Sequence, residues 1–166
     1  LSIMIQKVKL TTREGKKVMG CRITVTSDFH SNIENIWNKI HDIDTLREIC
    51  KPKARFISCD DSPMLWKEGK SFVFKLFLHG FLPVGRHTIN VVKMDKASRE
   101  IDTEEYNDTV IIWNHYIKME EISQQVTRYT DTVDLYAGYF TSIAAWWTLK
   151  FYKHRQRKWQ IIAKSL

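Results

Sequence analysis

His115 and Asp131 are the pair in this chain best suited by type and spacing to acid–base chemistry. They lie on residues 110–119 and 126–136, which alternate apolar and polar positions as half-buried strands do. If these segments form a hairpin turning at Ile122 to Gln124, a register symmetric about Ser123 sets His115 opposite Asp131 and Trp113 opposite Val133. Facing side chains in an antiparallel pair stand ~4.5–5.5 Å apart at Cβ. Three uses of the pair stay open. It can be a satisfied buried pair that only fixes the sheet, a pair that orients a ligand, or a general base with its orienting carboxylate. No nearby residue offers a nucleophile or an oxyanion donor, so the catalytic residues are unknown.

Other chemistry is excluded more directly. No Cys or His spacing resembles a zinc site, and the six glycines are scattered with no phosphate-cradling loop, so no metal or cofactor is expected. His154 falls on an apolar stripe and reads as a core or rim histidine. Cys21, Cys50 and Cys59 are odd in number and read as reduced, small core hydrophobes in a cytoplasmic protein. Leu1-Ser2-Ile3-Met4 lacks the basic head, apolar run and small-residue cleavage site of a signal peptide. Its first residue, not Met, points to a trimmed start or a preceding piece. No apolar run approaches the ~20 residues of a membrane span.

The 166 residues, 43% of them hydrophobic, read as one globular domain spanning 1–166, with residues 1–17 an additional N-terminal strand and loop. The net charge is +7, and Lys150, Lys153, Arg155, Arg157, Lys158 and Lys164 crowd the last helix with no acid among them. A solvated face with cations suited to a helix C-terminus accounts for this cluster. That reading is preferred to nucleic-acid binding, which is not expected, or to membrane contact by the basic helix.

Strands are predicted at residues 3–10, 18–26, 55–58, 71–79, 87–94, 99–106, 110–119 and 126–136, and their short connections imply antiparallel pairing. Loops are expected at 11–17, Asp60-Asp61-Ser62-Pro63, 80–85, 95–97 and 107–108. Ser31-Asn32-Ile33-Glu34 reads as a capping box opening a helix that buries Ile36, Trp37 and Ile40. A second short helix covers 44–49 and ends before Pro52.

Residues 141–166 read as one long helix. At 100° per residue, Phe140, Ile143, Ala144, Trp147, Phe151, His154, Ile161 and Ile162 share the sheet-facing stripe. Trp146, Leu149, Tyr152 and Trp159 fall off it and form a candidate homodimer surface. A long apolar helix closing an antiparallel sheet predicts a cavity between the two. Its ligand-binding wall is expected to take Phe72, Phe74 and Leu76 from one strand and Ile89 and Val91 from the next. Trp113 and His115 join from a later strand and Asp131 and Val133 from its partner, while Phe140, Ile143, Trp147 and Phe151 come from the helix end. One continuous space is predicted, of at least the ~300 Å³ usual for ligand pockets.

In order and spacing, four pieces resemble the START-like (SRPBCC) superfamily of polyketide cyclase/dehydrase-like and birch-pollen-allergen-type proteins. They are Ile23-Thr24-Val25 leading to Ile36-Trp37, Leu46 and Pro52; Phe72 to Ile89 with Gly80, Leu82 and Pro83 at the turn; Trp113-Asn114-His115 with Thr127 and Asp131; and the closing helix from Phe151 to Arg157. Two features depart from it: Ser31-Asn32 stands where the family has Ala-Pro, and Ile117 where related chains often carry a second His. The resemblance implies an α+β helix-grip fold, a curved antiparallel sheet around a long C-terminal helix with two short helices after an early strand. It also implies binding of a small hydrophobic ligand, such as a lipid, polyketide or other ring compound. A cyclase/dehydratase-type enzyme using His115 and Asp131, or a partner-binding protein using the outer helix face, are the alternatives.

Overall fold

The computed structural model of the chain describes residues 1–59 and 65–166, so the connection expected at Asp60-Asp61-Ser62-Pro63 lies outside the described residues. Strands β1 (Ser2–Thr11) and β2 (Lys17–Phe29) form the first hairpin; helices α1 (Ile33–Ile40) and α2 (Ile43–Cys50) follow. Then come β3 (Ala54–Ser58), β4 (Ser71–Leu78), β5 (Leu82–Asp95), β6 (Glu100–Tyr106), β7 (Ile112–Ser123) and β8 (Val126–Tyr136). A single 3₁₀ turn, Gly138–Phe140, leads into α3 (Thr141–Ala163). The eight strands make one antiparallel sheet in the order β1-β2-β8-β7-β6-β5-β4-β3. The long helix packs against its inner face, giving the α+β helix-grip arrangement.

Alternation explains the sheet. On β2, Ile23, Val25, Ser27 and Phe29 are buried, and on β8 so are Thr127, Tyr129, Asp131, Val133 and Leu135. Each set occupies one face because successive side chains point to opposite sides. The polar members of these sets, Ser27, Thr127 and Asp131, therefore sit in the core.

Three local expectations need correction. The cap of α1 is Asn32, not Ser31: Asn32 Oδ1 accepts from the Asn35 amide at 2.8 Å. Ser31 is buried, with its carbonyl accepting from Thr127 Oγ1 at 2.9 Å, and Glu34 is drawn instead to Arg99 and Lys96. Of residues 80–85 only Gly80 and Phe81 belong to the connection, since β5 begins at Leu82. His79 and Gly80, both at positive φ (52° and 81°), close a tight turn, and a bulge at Leu76/Phe77 accommodates Pro83 and Gly85. Cys59 is exposed and not a core residue, whereas Cys50 is buried, its thiol pushed up to about 12 chiefly by desolvation.

The largest correction concerns the rotation of α3. Its buried residues are Ala145, Thr148, Phe151, Tyr152, Arg155, Gln156, Trp159, Ile162 and Ala163. This face is turned by about 100°, one residue step, from the stripe drawn on hydrophobicity alone. Phe140 and Ile143 are 66% and 69% exposed, and Ile161 is exposed too. Tyr152 and Trp159 are each only 1% exposed and Leu149 packs half-buried on the core, so the dimer surface proposed from the sequence does not exist as a patch. Arg155 likewise leaves the supposed solvated cationic face for the interior.

Trp159 stacks on Phe29 (centroids 6.0 Å apart) beside Tyr129. Replacing it by Ala leaves an aromatic-sized void. W159A is expected to lose about 3–5 kcal/mol in urea unfolding. W146A, on a residue 58% exposed, should change stability by no more than about 0.5 kcal/mol. Equal effects would contradict this helix rotation.

Candidate functional site

The β7–β8 register is shifted by two residues from the symmetric expectation. His115 pairs with Val133, Ile117 with Asp131 and Trp113 with Leu135, because the hairpin turns at Gln124 and Gln125, later than expected, and an irregularity between Glu121 and Ser123 takes back one residue of the shift. A two-residue shift keeps every side chain on its face. His115 therefore still reaches Asp131, diagonally, with Nε2 2.7 Å from Asp131 Oδ1. Both side chains are buried.

Asp131 is held from its other oxygen by α3. Gln156 Nε2 donates to Asp131 Oδ2 at 2.9 Å and to the Val25 carbonyl at 2.6 Å, while Gln156 Oε1 accepts from Ser27 Oγ. Gln156 is fully buried, and this one amide spans β2, β8 and the helix.

A second imidazole–carboxylate pair lies beside the first. His87 Nε2 stands 2.8 Å from Glu105 Oε2, and Thr103 Oγ1 donates to Glu105 Oε1 at 2.7 Å. Asn107 Oδ1 accepts from the amides of Thr109 and Val110, which fixes the Asn107 NH₂ as donor to His87 Nδ1 at 3.1 Å. His87 Nδ1 is thus a lone pair and Nε2 carries the proton, an assignment made from the hydrogen-bond network. Burial alone would raise the Glu105 carboxyl, but His87, through its hydrogen bond and charge, then His115 and the Thr103 hydroxyl outweigh it and hold the group below the usual carboxylate range. Glu105 Oε1 is 3.9 Å from His115 Nδ1, too long for a hydrogen bond. With Nε2 engaged by Asp131, Nδ1 is the ring nitrogen of His115 left without a hydrogen bond among the described residues.

The predicted continuous cavity is two spaces. The inner one, about 70 Å³, touches Ile89, Val91 and His115 together with Thr103, Glu105, Arg155 and Trp159. The outer one, a groove of about 380 Å³, lies between the start of α3 and the β4–β5 hairpin. It is walled by Leu76, Trp113, Phe140, Ile143 and Trp147, with Leu78, Val84, Val110 and Ala144. Along the strands and helix, Phe74, His87, Phe151 and Tyr152 stand between the two sets. His87, Trp113, Trp147 and Phe151 are in aromatic contact there. Phe72, Phe74, Asp131, Val133 and Phe151 line neither space and are core residues. Bulky rings filling the centre of the sheet–helix layer are the physical reason one cavity became two.

His87, Glu105, Arg155, Gln156 and Ser27 were missed from the sequence. Strand phase could have found three of them. His87 is in step with Ile89 and Val91, Glu105 with Ile101 and Thr103, and Ser27 with Ile23 and Val25. Among the described residues no group of three or more His, Cys, Asp and Glu is placed to hold a metal ion. No helix among them is long and apolar enough to cross a membrane. His154, half-buried at the rim, has Nε2 2.6 Å from the Lys51 carbonyl.

No family model and no curated protein matches the chain. Solved structures do. An aromatase/cyclase from Streptomyces sp. R1128 superposes with a TM-score of 0.68 at 12% identity, covering 86% of this chain and 93% of its own. A START superfamily protein from Mycobacterium smegmatis gives 0.65 at 10% identity, over 87% and 97%. A protein from Rhodobacter sphaeroides gives 0.65 at 13% identity, over 98% and 99%. At these identities it is the fold that is shared, and the chain has the START-like helix-grip fold.

Proposed function

We propose that this protein binds a small hydrophobic molecule in the outer groove between the sheet and the start of α3. The observation that carries this reading is the groove itself. At about 380 Å³ it falls within the ~300–1,000 Å³ of ligand pockets, and its walls are nearly all apolar. Phe140 and Ile143 leave large apolar side chains in water on that wall, which a bound apolar molecule would cover. A lipid, a polyketide or another ring compound satisfies these walls equally, and the aromatase/cyclase and START neighbours are consistent with any of them. Residues 76, 113, 140, 143 and 147 are the contacts assigned to it.

The enzyme reading is favoured by one separate observation, the His87–Glu105 pair beside His115–Asp131. In that reading His115 Nδ1 is the base, Asp131 orients the ring and Glu105 tunes the site. Its substrate would have to enter the inner space. Wild-type protein should then accelerate α-proton exchange of a short β-ketoacyl thioester, followed by NMR, and H115Q should not. Exchange no faster than in buffer removes this reading.

The groove is tested with the apolar fluorophore phenylnaphthylamine. Ala144→Phe, which fills the groove, should weaken probe binding about tenfold or more. Retained affinity in A144F would remove the groove as the site. His115→Ala should leave probe affinity unchanged, while urea unfolding shows a loss of ~1–3 kcal/mol from a buried Asp131 deprived of one partner. Unchanged stability would show that the His115–Asp131 pair does not support the fold.

A further inference from the structure

Arg155 sits in the core with 7% of its surface exposed, on the wall of the inner space. No carboxylate lies within 4.0 Å of it among the described residues, and its Nε has no hydrogen-bond partner. Its neighbours are π faces: the Tyr152 ring at 4.6 Å and the Phe151 ring at 5.8 Å. The two buried carboxylates are already engaged, Glu105 by His87 and Thr103, Asp131 by His115 and Gln156. One turn along the helix, Trp159 lines the same space, with its Nε1 turned to the buried Tyr129 hydroxyl.

A buried guanidinium without an oxyanion is costly, since desolvation of a charge is offset only by good pairing. The planar fork of Arg is matched by a carboxylate, which it can bind through two parallel N–H bonds. Thr45, Thr103, Glu105 and His115 add polar groups to the wall, and the rest of it is apolar, from Ile49, Ile89, Val91, Ile101 and Ile117 out to the half-buried Leu46, Trp66 and Met94. At about 70 Å³ the space takes a head group and a few carbons, not a whole lipid.

We propose that the inner space is a carboxylate site, in which Arg155 anchors the acid group of a short amphipathic acid whose apolar part runs toward Leu46, Trp66 and Met94. This site is separate from the outer groove and does not depend on it. His115 and Glu105 line the same space.

The test uses butyrate and hexanoate against their uncharged counterparts butyramide and hexanamide, by isothermal titration calorimetry on the full chain at neutral pH. Wild-type protein should bind each acid at least about tenfold more tightly than its amide. Arg155→Gln should lose that preference, while A144F, which fills the outer groove, keeps it. Equal binding of acid and amide by the wild type overturns the proposal, and this comparison needs no variant to fold. An acid preference that survives in R155Q, or that vanishes in A144F, overturns it as well, because the anion would then be held elsewhere.

Discussion

The amide of Gln156 determines how the long helix sits in the sheet. Its NH₂ serves Asp131 and the Val25 carbonyl, its oxygen takes the Ser27 hydroxyl, and none of it reaches water. A buried amide has four hydrogen-bonding positions, and leaving them unmade costs several times what any one of them returns. Only one rotation of α3 presents Gln156 to β2 and β8. That rotation carries Arg155 inward beside it, and Tyr152 and Trp159 inward one turn to either side. Phe140, Ile143 and Trp147, off this face at the helix start, are left to wall a groove.

The same clasp organises the site. Asp131 is oriented from two sides, by Gln156 on the helix and by His115 on the neighbouring strand. With His115 Nε2 so engaged, its other nitrogen turns toward Glu105, which His87 and Thr103 hold from the far side. The polar chain thus runs across β2, β8, β7, β6 and β5 beneath a helix face that presents Gln156 and Arg155 between Tyr152 and Trp159. Rings from Phe74, His87, Phe151 and Tyr152 fill the middle of the layer, so one end of it is a tight space with a few polar groups on an apolar wall and the other an open apolar groove.

Much of the sheet was legible because strand alternation has a period of two, and errors that preserve parity do no harm. The His115–Asp131 contact survived a two-residue register shift for that reason. The start of β5 was not legible: Pro83 and Gly85 are turn residues by composition, and only a bulge lets them stay in the strand. The helix was misread because large apolar and polar side chains are mixed on every side of it. With Phe140, Ile143, Trp146, Trp147, Tyr152, Trp159 and Ile161 spread over its surface, hydrophobicity alone does not select a face. Polar partners on the strands do, and those are set by tertiary contacts more than a hundred residues away in sequence.

The most direct test of this account is a double-mutant cycle between Asp131 and Gln156, using D131N, Q156L and the double variant in urea unfolding. If the clasp sets the helix, the two substitutions should be coupled by about 1–3 kcal/mol, the range for residues sharing a buried hydrogen-bond network. Additive effects, with a coupling of no more than about 0.3–0.5 kcal/mol, would contradict it.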